Sequence, residues 1–143
     1  MDFYGEYRHT VDSKNRLFIP AKFRDQLGEK FYITRKVEHA LIIYSESAWQ
    51  DLQDKLNSKP DSVVGVIKQF IFPKTVDAAP DANGRVILSG FLMEYAGIDK
   101  ENKSVVVIGV GDHVEIWSES AWDKQEEAMR SQDFNEILKE LGL

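Results

Sequence analysis

Short apolar runs alternate with polar turns along this chain, and the whole order of runs occurs twice. Leu17-Phe18-Ile19 follows a polar stretch, Asp12-Ser13-Lys14-Asn15-Arg16, and reads as a short strand. Phe23 and Leu27 lie four apart on one face of a short helix that Pro20 can start, at its first helical position, and Gly28 can close. Phe31–Thr34 and Leu41–Tyr44 follow as hairpin partners. The stretch Ser45-Glu46-Ser47-Ala48-Trp49 then opens a second helix. A serine supplies its cap, Gln50 stands three residues after the second serine as in a capping box, and Trp49, Leu52 and Leu56 form an apolar stripe.

The second half repeats these elements. Val86-Ile87-Leu88 follows Asp81-Ala82-Asn83-Gly84-Arg85, Ser89 is a possible cap, Leu92 and Ala96 share a face, and Gly97 is the stop. Val105–Val110 and Val114–Trp117 form a hairpin turning at Gly111-Asp112. At an offset of 69, Phe3 matches Phe72, Asp12 matches Asp81, Arg16 matches Arg85 and Gly28 matches Gly97. After a four-residue insertion near Asp99–Asn102 the offset is 73, so that Ile33 matches Val106 and Ser45–Trp49 matches Ser118-Glu119-Ser120-Ala121-Trp122 without a difference. Two copies of one unit are the simplest explanation.

The organisation that follows is a first unit over residues 1–58, a linker helix over 59–72, a second unit over 73–130 and a C-terminal amphipathic helix over 131–143. In the linker, Val63, Ile67, Phe70 and Ile71 give a helical face that starts at Asp61-Ser62 and stops before Pro73. In the tail, Phe134, Ile137, Leu138 and Leu141 repeat the pattern on a segment too short to be stable alone, so it docks on its own body or on a neighbouring subunit. Neither unit is large enough to bury a core by itself. The pattern therefore predicts an α+β, β-rich fold in which both units share one barrel or sandwich about an internal pseudo-twofold axis. The tryptophans read as core anchors.

Composition narrows the class. The chain has 143 residues, no cysteine and a net charge of −6. No disulfide or thiolate metal site is available. No stretch approaches the roughly 18 apolar residues of a membrane span, and Met1–Glu6 lacks the basic start and apolar core of a signal peptide, so a cytoplasmic protein is expected. A negative net charge argues against a polyanionic partner, but the charge is uneven. Residues 1–36 hold eight Lys/Arg and five Asp/Glu, a local +3 that leaves −9 for the rest.

Enzyme chemistry finds little to work with. His9, His39 and His113 are the only histidines, and none is repeated between the units. No H-E-x-x-H, G-x-S-x-G, P-loop or G-x-G-x-x-G pattern occurs. Gly109-Val110-Gly111 has two of the glycines of a dinucleotide loop, and a hairpin turn explains both. Asp81–Gly84 resembles a fragment of a calcium loop, but Ala79 and Gly90 stand where carboxylates are needed. The expectation is no catalysis, no cofactor, no metal and no small-molecule substrate.

The two Asp-x-x-x-Arg turns admit two readings. In one they are structural, each aspartate pairing with its own arginine. In the other the aspartate fixes the guanidinium plane and leaves its outer edge for a phosphate or a guanine. Lys14 adds a phosphate-directed charge, and Arg8, Lys22 and Arg24 extend the basic surface.

Residues Tyr7–Arg24, with the run Thr10-Val11-Asp12-Ser13-Lys14-Asn15-Arg16-Leu17 at their centre, resemble the N-terminal signature of the MraZ family. Asp81–Leu88 resembles its second copy, and Val107-Ile108-Gly109 with Val114–Trp117 fits the later part. The resemblance covers residues 1–130. It implies two fused AbrB-like β-α-β units in a swapped, double-split β-barrel with flanking helices. It further implies a transcriptional regulator, a repressor, of the division and cell-wall gene cluster. Such a regulator binds short direct repeats of double-stranded DNA upstream of its own gene, as a ring-shaped homo-oligomer such as an octamer, in the nucleoid.

The DNA-contacting turn maps onto Asp12, Lys14, Asn15 and Arg16 and, in the second unit, onto Asp81, Asn83 and Arg85. Asn15 replaces a glycine frequent in the family and tolerates the same left-handed backbone. Ala82-Asn83 lacks a lysine, so the second turn is expected to carry less charge than the first. The reading from another class is an antitoxin-like or scaffold module that holds a partner through Phe134–Leu141.

Overall fold

The computed structural model describes residues 2–143, with strands β1 (Glu6–Thr10), β2 (Arg16–Phe18), β3 (Phe31–Lys36), β4 (Ala40–Ser45), β5 (Val76–Ala78), β6 (Arg85–Ile87), β7 (Ser104–Gly109) and β8 (Val114–Ser118). The helices are α1 (Ala21–Leu27), α2 (Glu46–Asn57), α3 (Asp61–Ile71), α4 (Gly90–Tyr95), α5 (Glu119–Arg130) and α6 (Asn135–Glu140). Six strands make one antiparallel sheet in the order β1-β7-β8-β4-β3-β5, and β2 pairs with β6 in a separate two-stranded ribbon. The fold is α+β. Its strands do not close into a barrel among the described residues.

Strand alternation divides the sheet into two faces. Phe31, Ile33, Leu41, Ile43, Val105, Val107, Val114 and Ile116 point to a core that the ribbon, α1 and α4 cover with Leu17, Val86, Phe23, Leu27 and Leu92. On the opposite face Ala40, Val106, Ile108 and Trp117 pack under Trp122 of α5. Trp49 of α2 stacks on Tyr32, with ring centroids 5.3 Å apart. Both repeated tryptophans are anchors, as expected.

The internal symmetry is legible in the register. Leu17 pairs with Val86 at the centre of the ribbon, and Ile42 pairs with Glu115 where the two hairpins meet. Each is a pair of repeat-equivalent residues, so one pseudo-twofold axis passes through both. The first strand of each half also crosses over: β1 adds to β7, and β5 adds to β3. One equivalence changes. Ile33 pairs with Ile43 and faces the core, as Val107 does opposite Ile116, so the counterpart of Ile33 is Val107 rather than Val106, which lies on the outer face.

Other boundaries shift for local reasons. Pro20 precedes α1 instead of opening it. The caps of α2 and α5 are the first serines, Ser45 and Ser118, whose Oγ atoms accept the Ala48 and Ala121 N–H at 3.2 Å. The third helical residue is then alanine, so no capping box forms, and Gln50 donates instead to Asp54. Ser89 precedes α4 without a capping bond. On α3 the residue facing inward is Val64, while Val63 and Ile67 are exposed. The C-terminal helix α6 buries none of its apolar side chains on its own chain.

Gly109 is not a hairpin glycine. A Cβ there would lie 2.4 Å from the Phe3 carbonyl carbon, because the N-terminal segment crosses at this point. Phe3 and Gly111 exchange two backbone hydrogen bonds of 2.9 Å, and the Phe3 ring is fully buried against Phe23.

The outer face also buries an ionic group. Glu115 accepts from Trp117 Nε1 at 2.8 Å and from His113 Nε2 at 2.8 Å, while Asp112 takes His113 Nδ1 at 2.7 Å. The hydrogen bond to Glu115 holds His113 above its usual 6.5, against the opposing pull of burial. Burial pushes the Glu115 carboxyl up, but the bonds from His113 and Trp117 outweigh it and hold it below its usual value. While Glu115 is ionised, the part of this stabilisation carried by His113 is fully present below about pH 6.5 and is lost as pH rises through the raised folded-state pKa. On the acid side the Glu115 part is lost as its carboxylate protonates. Glu115→Gln therefore lowers the His113 pKa in an NMR titration. The stability difference between the two proteins narrows as pH rises through the wild-type value.

Candidate nucleic-acid interface

Each Asp-x-x-x-Arg turn is built by its aspartate. In the first, the Asp12 carbonyl accepts the Asn15 N–H at 3.0 Å and the Asp12 N–H donates to the Arg16 carbonyl at 3.0 Å. Asp12 Oδ1 takes the backbone N–H of Lys14 and of Arg16, both at 2.9 Å, leaving Oδ2 for Arg16 Nε at 2.7 Å. The second turn repeats the pattern: Asp81 Oδ1 accepts from Asn83 N–H at 2.8 Å and Arg85 N–H at 2.9 Å. Its Oδ2 lies 3.3 Å from Arg85 Nε, an ion pair without a well-aligned hydrogen bond. The fourth turn residue takes a left-handed backbone in both, Asn15 at φ 60° and Gly84 at φ 78°. That is the geometry of a type I turn closed by a bulge, in which asparagine and glycine are tolerated best.

The ribbon joins the two turns. Ile19 N–H donates to the Gly84 carbonyl at 2.9 Å and Leu88 N–H to the Asn15 carbonyl at 2.8 Å, so each strand is tied to the other half's turn. Arg85 Nη1 comes within 3.7 Å of Asp12 Oδ2, the atom that also holds Arg16. Two guanidinium groups thus flank one carboxylate. The backbone N–H of Arg16 is the largest influence keeping Asp12 below the usual carboxylate range, and that of Arg85 does the same for Asp81. Both carboxylates are charged at neutral pH; Asp12 fixes the Arg16 guanidinium through the 2.7 Å bond, while Asp81 holds Arg85 by the ion pair alone.

Arg24 joins this surface from α1. Its Nε donates to the Ile19 carbonyl at 2.8 Å, and its guanidinium lies 5.3 Å from the Phe18 ring centre. It rests against Gly84, where a Cβ would meet its Cζ at 2.6 Å. A Cβ at Gly84 would displace the Arg24 guanidinium from this position, and the positive φ favours glycine there as it favours asparagine at position 15. The second turn, though it lacks a lysine of its own, gains a cation from the first half. Lys14 and Lys22 are exposed and pair with no acid among the described residues. Asn83 is exposed at the tip of its turn.

Arg8 is elsewhere. It shares β1 with His9, whose ring packs 5.3 Å from Phe18, and alternation sends Arg8 to the opposite face. There Glu119 at 3.2 Å, Glu6 and Asp123 at 3.4 Å and Glu126 at 4.0 Å surround it. Its charge is neutralised within the chain, and it adds nothing to the basic surface around the turns.

Comparison with known proteins places the chain in a family. The family described as "MraZ protein, putative antitoxin-like" matches residues 3–63 and 71–142. The chain belongs to the MraZ family. A curated MraZ relative from Acetivibrio thermocellus, "Transcriptional regulator MraZ", is 39% identical over 145 aligned positions, covering 99% of each chain. One of the same name from Moorella thermoacetica is 44% identical over 85% of each chain. A third, from Leuconostoc citreum, is 42% identical over 97% of this chain and 96% of its own.

This MraZ chain also carries two lysines near the first turn that its sequence pattern does not single out. Lys100 and Lys103 line a groove of about 430 Å³ together with Asp12, Ser13 and Asn15, and the Lys103 carbonyl accepts the Val11 N–H at 3.0 Å. Lys100 lies in the insertion that breaks the repeat and Lys103 directly after it, where periodicity gives no direction. Glu94 and Asp99 line the same groove, so its cations are locally balanced.

Proposed function

We propose that this protein is a sequence-specific DNA-binding transcriptional regulator. In this reading it represses the division and cell-wall gene cluster by binding short direct repeats upstream of its own gene, as a ring-shaped homo-oligomer on the nucleoid. The observation that carries the reading is the pairing of the two turns through the β2–β6 ribbon, which gathers Arg16, Arg85, Arg24 and Lys14 around Asp12 and Asp81. The name printed for the relatives, "Transcriptional regulator MraZ", agrees with it. The exchange of β1 and β5 between halves is in keeping with fused AbrB-like units of the double-split type.

Arg16 and Arg85 are the base-reading arginines, each oriented by its aspartate. Lys14, Lys22 and Arg24 contact phosphates. Asn15 and Asn83 sit at the turn tips, where their amides reach the groove floor or the backbone. A monomer of net charge −6 is a poor polyanion ligand, and a ring that gathers several turns on one face supplies the missing attraction through effective concentration.

Replacing one phosphate-binding lysine tests the reading. Lys14→Ala lowers affinity for a duplex carrying the upstream repeats, and the slope of log K against log salt falls by about 1, the change expected when one phosphate is no longer neutralised. Fluorescence anisotropy across a salt series measures both. An unchanged slope removes Lys14 from the interface.

A further inference from the structure

The tail helix α6 and one surface groove are both unfinished, and their chemistries are complementary. On the tail, Phe134, Ile137, Leu138 and Leu141 are 41%, 53%, 39% and 66% exposed, a stripe with no cover on its own chain. Around it the segment 131–143 carries Asp133, Glu136 and Glu140 against Lys139 alone. A six-residue helix with this much bare apolar surface needs a partner to be stable.

The groove, about 380 Å³, lies where α4 meets β3 and the segment after α3, and Arg35, His39, Lys74, Phe91, Glu94 and Tyr95 line it. Its basic groups are fixed. Arg35 Nε donates to the Phe70 carbonyl at 2.9 Å with its guanidinium 4.0 Å from the Phe70 ring centre and 5.3 Å from that of Tyr95. Lys74 lies 5.1 Å from the ring centre of Phe91, which is 41% exposed. Phe70, edge-on to Tyr95 at 6.2 Å, leads on to the exposed Val63 and Ile67 of α3. Four other grooves, beside the first turn, along α5 and beside α2, are lined by at least as many acids as lysines and arginines. This one has Arg35 and Lys74 against Glu94, with His39 beside them. It suits an acidic amphipathic segment.

We infer that α6 of one copy docks in the Arg35–Lys74–Phe91 groove of the next copy, its apolar stripe on Phe91 and the α3 flank and its acids toward Arg35 and Lys74. The inference rests on the self-assembly proposed above and names the surfaces that produce it. Tail and groove are different surfaces of one chain, so the contact is head to tail, the type that closes into rings.

Two exposed positions allow a test on the full chain by light scattering, with far-UV circular dichroism as the check on folding. Leu138→Asp disables the tail and Phe91→Asp disables the groove, and each variant runs as a monomer. Mixed one to one, they form a dimer and nothing larger, because one functional tail meets one functional groove. A Phe91→Ser variant replaces the aspartate if the latter melts. Assembly that persists in both variants overturns the docking while leaving self-assembly standing. Variants that are monomeric and stay so when mixed also overturn it, and a Phe91→Asp variant that still assembles while Leu138→Asp does not overturns it in favour of a tail-to-tail contact. A wild-type chain that is itself monomeric at micromolar concentration overturns the self-assembly on which the inference rests.

Discussion

Arg16→Ala lowers affinity for a duplex carrying the upstream repeats by roughly ten- to a hundredfold, the loss that accompanies removal of one base-reading arginine at about 1–3 kcal/mol. The fold survives. Among the described residues the Arg16 guanidinium pairs with no acid but Asp12, and the turn is held by backbone bonds to Asp12 that the alanine retains. Arg85→Ala costs a comparable factor, because Arg24 compensates the second turn for its missing lysine. Arg8→Ala is the contrasting control and leaves affinity unchanged, since four carboxylates already hold that cation on another face. Anisotropy titrations of the three variants at one salt concentration, with thermal melts alongside, measure all of this. A loss at Arg8 equal to that at Arg16 sinks the assignment.

Gly109→Ala is the substitution with the largest expected effect on stability. The new methyl group would stand 2.4 to 2.6 Å from the backbone of Phe3 and Tyr4, which cannot rotate away as a side chain can. Relief requires the N-terminal segment to lift, breaking the two Phe3–Gly111 bonds and exposing a ring now fully buried. Overpacking of this kind costs about 1–3 kcal/mol, and exposing the ring adds about 2 kcal/mol. For a chain of this length the midpoint falls on the order of 10 °C. Phe3→Ala tests the cause. If Gly109→Ala acts by displacing Phe3, the two substitutions together cost less than the sum of their separate effects in a double-mutant cycle.

The features legible in the amino-acid order were those that local patterning controls. The repeat, the short strands, Trp49 and Trp122 as anchors, and the Asp12 and Asp81 turns follow from periodicity and turn chemistry, and the folded chain contains each. What was not legible depends on the other half of the molecule. Arg24 was expected beside the first turn because it is near in sequence, yet strand pairing across the axis brings it to Gly84. Arg8 read as one more cation in a basic stretch until alternation on β1 turned it toward α5. Gly109 looked like a hairpin glycine because nothing in its neighbourhood announces that Phe3 crosses there. The serine caps show a subtler limit: Ser-Glu-Ser offers two frames for a helix start, and the strand ending at Ser45 or Ser118 selects the first.

The central claim is that the paired turns read a DNA sequence, and a competition between duplexes tests it most directly. Labelled upstream DNA bearing the direct repeats is bound by the full-length protein near physiological salt, then competed with the same duplex unlabelled or with a shuffled duplex of equal composition. Specific recognition requires the shuffled duplex to compete on the order of a thousandfold less well or worse. Equal competition by the two duplexes, or no binding at all, contradicts the account.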